Sequence, residues 1–123
     1  PASFLREAMR KNEAPFFRAS WIGDYPDGEN YLTLFYSKNG APPNYTYFKN
    51  EKFDALYEAS LKETSVQKSY TLYHEMEKII LDEAPVVPLF YDEVTRFVHK
   101  YISGFKPNAM NMLMLKETKI ELE

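Results

Sequence analysis

The residues that carry the clearest chemical potential lie together in one stretch, RASWIGDYPDGENYL, from Arg18 to Leu32. This stretch contains an arginine, three carboxylates and the only tryptophan of the chain. A carboxylate beside a tryptophan can hold a ligand ammonium through a charge-assisted hydrogen bond, because the indole is a flat wall of low dielectric constant. The competing interpretation is a core tryptophan, a surface arginine and a turn-forming aspartate, and local chemistry alone favours it.

Catalytic and metal-binding interpretations are weaker. Asp24 paired with Asp27 or Glu29 would suit glycoside hydrolysis, but that chemistry needs a set separation of the two carboxyl groups and one raised pKa. The spacing of residues in a loop predicts neither condition. His74 and His99 are the only histidines, so a pair of imidazoles on one helical face is absent. The sequence also lacks a nucleophile elbow and a glycine-rich phosphate loop. We therefore expect no catalytic residues, no metal and no cofactor.

Composition narrows the class of protein further. The 123 residues are enough for one core, and the net charge of −3 offers no basic surface for nucleic acid. Cysteine is absent, which excludes disulfide scaffolds and cysteine-based zinc sites. No apolar run approaches the ~20 residues of a membrane-spanning helix. The aromatic share of 16% indicates an aromatic core or an aromatic recognition surface. The chain begins without Met, in the middle of a helical pattern, so we expect it to be part of a longer protein.

The elements that must position this stretch are read from periodicity and from turn residues. Helical spacing of apolar residues, with Asn50 as an N-cap and a stop before Pro85, predicts the main helices. Short apolar runs flanked by turn residues predict strands. The predicted helices are the amino-terminal segment to Lys11, Tyr31–Ser37, Glu51–Glu63 and Ser65–Ala84, and the predicted extended segments are Ala14–Trp21, Val86–Tyr91 and Thr95–Ile102. This order indicates the α/β class.

Three stretches taken together resemble a known family. They are RASWIGDYPDGENYL, FKNEKFDALYEASLKET and SYTLYHEMEKIILDEAPVVPLFYDEVTRFVHKYISGF, in that order. They resemble the carboxy-terminal part of extracellular solute-binding proteins of family 5, the oligopeptide-, dipeptide- and nickel-binding subunits of ABC importers. The resemblance runs from Arg18 to about Phe105. Gly28 stands where the family often has proline and Ser69 where arginine is common, which leaves the subfamily open.

The resemblance implies a periplasmic-binding-protein type II fold, in which two lobes close on a ligand about a hinge. Residues 1–92 would be a portion of the second lobe. Residues 93–123 would contain the hinge crossover and the carboxy-terminal segment that belongs to the first lobe. We therefore expect exposed apolar surface around Phe97–Met114, through which the chain can self-associate.

The resemblance also implies a ligand site. Asp24 would capture the ammonium of a bound peptide, Trp21 would line the adjacent pocket, and Arg18 and Ile22 would lie near the ligand. Asp27 and Glu29 would then serve the turn and the start of the helix. The implied partners are a peptide and the membrane permease of an ABC importer, at the periplasmic or extracellular face of the membrane, with or without a lipid anchor. An independent interaction or scaffold domain, or a non-peptide solute such as a nickel chelate, are the alternatives.

Overall fold

The computed structural model describes residues 2–108 and 110–121. The helices in these ranges are α1 (Ala2–Arg10), α2 (Glu29–Leu32), the 3-10 turn Thr33–Phe35, α3 (Glu51–Ser60) and α4 (Val66–Glu83). The strands in the same ranges are β1 (Ile102–Ser103) and β2 (Lys119–Ile120), which pair antiparallel with Ile102 opposite Ile120. No helix of the described ranges has both the length and the apolar character needed to cross a bilayer.

The helices form where local sequence signals are strong. The Asn50 side chain accepts a hydrogen bond from the Phe53 backbone N–H at 2.8 Å, so the predicted N-cap of α3 is confirmed. Helix α4 ends at Glu83, directly before Ala84 and Pro85, as predicted from the proline. Ala84 closes the helix in the left-handed conformation. The predicted short helix after Tyr31 is also present, as α2 and the 3-10 turn.

The core lies between α2, α3 and α4 and is largely aromatic. Phe53 and Met76 are fully buried at its centre. The Phe53 ring meets the Phe48 ring edge-on at 5.7 Å and lies parallel to the Tyr57 ring at 6.5 Å. Removing these rings from water is the main driving force for packing α3 against its neighbours. Part of the high aromatic content therefore serves the core.

The predicted strands are wrong over almost all of their length. Within the described residues, Ala14–Trp21 and Val86–Tyr91 contain no strand, and Thr95–Ile102 contributes only Ile102, the first residue of β1. A strand needs a neighbouring chain segment to take up its N–H and C=O groups. The described ranges place no such neighbour beside these segments. The apolar character that suggested strands is real, but its partners are not among these residues.

The predicted exposed apolar surface is confirmed. Phe97 is 98% exposed and Met112 and Met114 are 62% and 60% exposed. The exposed apolar residues begin earlier than predicted, because Tyr91 is 97% exposed as well. Large apolar side chains exposed in this number in one segment are typical of a contact surface for other protein.

Candidate functional site

The site is built on the loop that precedes α2, and one buried side chain organises it. Asn30, in α2, is 3% exposed. Its Oδ1 atom accepts a hydrogen bond from the Trp21 indole N–H at 2.8 Å and a second from the Asp24 backbone N–H at 3.2 Å. Trp21 and Asp24 are therefore brought together, and a single oxygen atom connects them.

The start of α2 fixes where Asn30 lies. Asp27 Oδ1 accepts a hydrogen bond from the Glu29 backbone N–H at 2.9 Å, so the aspartate satisfies a donor at the helix start. The backbone N–H of Asp27 donates to the Tyr25 carbonyl at 2.9 Å and tightens the same turn. A Cβ atom on Gly28 would lie 3.3 Å from the Tyr73 ring of α4, so the turn packs closely on that helix. Asp27 and Glu29 thus have the turn and helix-start roles that were predicted for them.

Glu29 fastens the loop to α3. Its two carboxylate oxygens accept hydrogen bonds from the hydroxyls of Tyr25, in the loop, and Tyr57, in α3. Burial is the largest cause of the raised pKa of Tyr57, and the hydrogen bond to Glu29 raises it further. The hydrogen bond to Glu29 is the largest cause of the raised pKa of Tyr25. Both hydroxyls therefore remain protonated donors across the neutral range, and the carboxylate holds the loop through them.

Asp24 presents an exposed carboxylate next to a partly exposed indole. Trp21 is 38% exposed. The ion pairs among the described residues join other side chains, and none of them includes Asp24. An exposed carboxylate beside an indole, without an intramolecular cation, can accept the N–H groups of an ammonium ion from outside the chain. The negative charges of Asp27 and Glu29 nearby favour the same ligand charge.

The other two predicted residues lie at the margin of this arrangement. Ile22 is 80% exposed directly after Trp21. The Arg18 guanidinium lies 5.5 Å from the centroid of the Phe90 ring, in cation–π geometry. The structure therefore pairs Arg18 with Phe90, in the segment that follows α4, and shows no hydrogen bond between Arg18 and Asp24 among the described contacts.

Sequence reasoning missed Asn30 and the tyrosine pair that holds Glu29. The available signal for Asn30 was a polar amide directly before the apolar pair Tyr31–Leu32, which is unusual on a buried helical face. Among the described contacts, His74 forms an exposed pair with Glu77 at 3.2 Å, as expected for a surface histidine. In the described ranges, no group of three or more potential metal-ligating side chains comes together.

The fold of the chain matches that of a solved structure. The chain superposes over 97% of its length on the periplasmic murein tripeptide binding protein MppA in its unliganded open form, with a TM-score of 0.78 and 23% sequence identity. It covers 23% of that protein. The likeness confirms the predicted fold class, a part of the periplasmic-binding-protein type II fold, although the described residues contain little sheet.

Relatives by sequence identify the family. No protein-family model matches the chain. It is 29% identical over 116 residues to the probable deoxycholate-binding periplasmic protein YgiS of Escherichia coli K12. This match covers 94% of this chain and 21% of YgiS. It is 30% identical over 91 residues to the periplasmic murein peptide-binding protein MppA of the same strain, 74% of this chain and 17% of MppA. It is 39% identical over 74 residues to the oligopeptide-binding protein OppA of Bacillus subtilis 168, 60% of this chain and 13% of OppA.

The chain belongs to the extracellular solute-binding proteins of family 5. It spans about a fifth of the length of the relatives that it covers most fully, at 21% and 22%. Relatives from Escherichia coli are periplasmic proteins by name, which supports a periplasmic or extracellular location for this chain.

Proposed function

We propose that this chain is part of the substrate-binding component of an ABC importer and that it helps to capture peptides in a cleft between two lobes. MppA and OppA are named for binding murein peptides and oligopeptides, and their matches cover 74% and 60% of this chain. The named relatives are binding proteins, and we infer a binding role rather than an enzymatic one here. The membrane permease of the importer would be the partner of the complete two-lobed protein.

The observation that carries this proposal is the fixed pair of Trp21 and Asp24. The carboxylate of Asp24 would accept the ammonium group at the amino end of a peptide. The indole of Trp21 would form the wall beside it, with exposed Ile22 extending that wall. A hydrogen bond to a charged group contributes ~1.5–3 kcal/mol, which would correspond to a roughly ten- to hundredfold preference for a free amine. Arg18, stacked on Phe90, would lie at the edge of the site.

The exposed apolar surface supports the proposed division into lobes. Residues 1–92 would be a portion of the second lobe, and residues 93–123 would cross the hinge and pack in the first lobe. Phe97, 98% exposed, and Met112, 62% exposed, lie in the segment assigned to the first lobe. Burial against that lobe would remove this apolar surface from water. The isolated chain would instead cover it by self-association.

One finding favours a second candidate, a non-peptide solute. YgiS, which matches 94% of this chain, is named for binding deoxycholate, a carboxylate without an ammonium group. The exposed Asp24 carboxylate would repel that ligand, whereas a wall of aromatic and apolar side chains would suit it. The charge of the preferred ligand therefore distinguishes the two candidates.

The test is calorimetric titration of the two-lobed protein that carries this chain with three probes: trialanine, N-acetyl-trialanine and deoxycholate. We expect trialanine to bind, and N-acetyl-trialanine to bind at least ten times more weakly because it lacks the ammonium group. The 123-residue chain alone is expected to bind trialanine more weakly than the two-lobed protein does, since it offers one side of the cleft. Preferential binding of deoxycholate, or equal binding of both peptides, would contradict the peptide proposal.

A further inference from the structure

One buried oxygen atom sets the distance between the two principal groups of the candidate site. Asn30 Oδ1 accepts hydrogen bonds from the Trp21 indole N–H at 2.8 Å and from the Asp24 backbone N–H at 3.2 Å. A carbonyl oxygen has two lone pairs, so these two donors use its accepting capacity completely. The indole N–H is the only polar group of the tryptophan side chain, and this bond therefore fixes the orientation of the ring.

Burial makes this arrangement firm. Asn30 is 3% exposed, so water cannot readily replace either donor. Its loss would leave the Trp21 indole N–H and the Asp24 backbone N–H to find other partners, and the indole would be free to rotate. The loop between Trp21 and Asp24 contains Gly23 and Ile22, and Ile22 is 80% exposed, so it provides little packing of its own.

The attachment of α2 to the core does not depend on Asn30. Leu32 is 5% exposed within the core, and the Glu29 carboxylate accepts the hydroxyl of Tyr57 in α3. These contacts lie on either side of Asn30 in α2 and remain when its amide is removed. Substitution of Asn30 should therefore release the loop while the helix stays in place.

We propose that Asn30 is the positioning residue of the site: its side-chain oxygen holds the Trp21 indole and the Asp24 backbone at the separation that a ligand with an ammonium group and an adjacent side chain requires. This inference rests on the proposed function for the nature of the ligand. The positioning itself is a property of the unliganded chain.

The single tryptophan makes the positioning directly measurable, since the intrinsic tryptophan fluorescence of the chain comes from Trp21 alone. The variants are Asn30→Ala, which removes the acceptor, and Asn30→Asp, which keeps an acceptor oxygen in the same place. Asn39→Ala is the matched control, because the Asn39 amide also makes two hydrogen bonds, to the Thr33 carbonyl at 2.9 Å and to the Thr33 hydroxyl at 3.0 Å, away from the loop.

We expect Asn30→Ala to raise acrylamide quenching of Trp21 and to lower its fluorescence anisotropy, with the far-ultraviolet circular dichroism of the helices unchanged. Asn30→Asp should restore both fluorescence values, and Asn39→Ala should leave them at the wild-type level. Quenching and anisotropy of Asn30→Ala that equal the wild-type values would overturn the proposal. So would a failure of Asn30→Asp to restore them while the helical signal is intact.

Ligand binding is tested separately in the two-lobed protein with trialanine. Asn30→Ala should weaken binding about tenfold, and it should weaken binding less in a Trp21→Phe background, which already lacks the indole N–H. If Asn30→Ala frees Trp21 but leaves trialanine affinity unchanged, the positioning role in binding is overturned. If the wild-type protein binds no trialanine, the proposed function fails, and the fluorescence of the Asn30 variants still decides whether Asn30 positions Trp21.

Discussion

Glu29 offers the sharpest test of how the site is attached to the core. Its carboxylate accepts hydrogen bonds from the hydroxyls of Tyr25 and Tyr57, so it joins the loop to α3. Glu29→Gln keeps the shape of the side chain but removes its charge and replaces one acceptor oxygen by a donor. Glu75→Gln, on the exposed face of α4, is the matched control for the change in charge.

The expected loss of stability follows from the burial of the two tyrosines. Tyr57 is 5% exposed, so weakening its bond leaves a buried hydroxyl with a poorer partner, whereas Tyr25 is 45% exposed and can turn to water. Hydrogen bonds to charged groups contribute ~1.5–3 kcal/mol and neutral ones ~0.5–1.5 kcal/mol. The difference at Tyr57 predicts that Glu29→Gln lowers the free energy of unfolding by about 1–2 kcal/mol. Glu75→Gln should remain within ~0.5 kcal/mol of wild type.

Urea denaturation followed by circular dichroism measures both variants. The midpoint should fall for Glu29→Gln with an unchanged m-value, because the surface exposed on unfolding is the same. Tyr57→Phe removes the other partner of the bond, so the double variant should lose less stability than the sum of the two single variants. The same urea midpoint for Glu29→Gln and Glu75→Gln would refute the proposed attachment of the loop to α3. Losses of stability that add fully in the double variant Glu29→Gln/Tyr57→Phe would refute it as well.

Two further predictions concern packing and pH. A Cβ at position 23 would lie 3.2 Å from the Tyr31 hydroxyl oxygen and 3.3 Å from the Tyr25 carbonyl oxygen, so Gly23→Ala should lower the free energy of unfolding by about 1 kcal/mol and weaken trialanine binding. Gly40→Ala is the control, because a Cβ there meets nothing within 4 Å, and it should change neither quantity. Urea denaturation and calorimetry compare the two variants, and equal behaviour would contradict the close packing at Gly23. Burial, assisted by Asp27, raises the pKa of Tyr73 from 10.0 to about 12, so the native state keeps a proton that the unfolded chain loses, and the free energy of unfolding should be steady below pH 10 and fall from pH 10 towards pH 12. Tyr73→Phe should make this fall shallower in urea titrations at each pH, and an identical slope in the variant would show that Tyr73 does not contribute.

The parts of the fold that were predictable from sequence are those with local causes. Asn50 accepts the N–H of a residue three positions later, and Pro85 restricts the residue before it, so both ends of the α3–α4 unit follow from neighbours in the chain. The strands failed for the opposite reason. Val86–Tyr91 has strand-like composition, but a strand is completed by a distant partner, and the described residues do not supply one.

The candidate site also combines features that the sequence indicated with features that depend on distant contacts. Trp21 and Asp24 carry recognisable chemistry, but only the order of three family-like stretches favoured a ligand site over a core anchor and a turn. Asn30 could not be identified, because its role depends on the direction of one amide oxygen after α2 has packed on the core. Glu29 carried a predicted helix-start role, and its second role, toward Tyr57, depends on a residue 28 positions away in sequence.

The central claim is that Asp24 accepts the ammonium group of a peptide, and its most direct test is calorimetry of Asp24→Asn in the two-lobed protein. Asp82→Asn, an exposed position on α4, is the control with the same change in charge. We predict that Asp24→Asn binds trialanine roughly ten to a hundred times more weakly than wild type and Asp82→Asn, and that it no longer discriminates between trialanine and N-acetyl-trialanine. Equal trialanine affinity in all three proteins would contradict the claim.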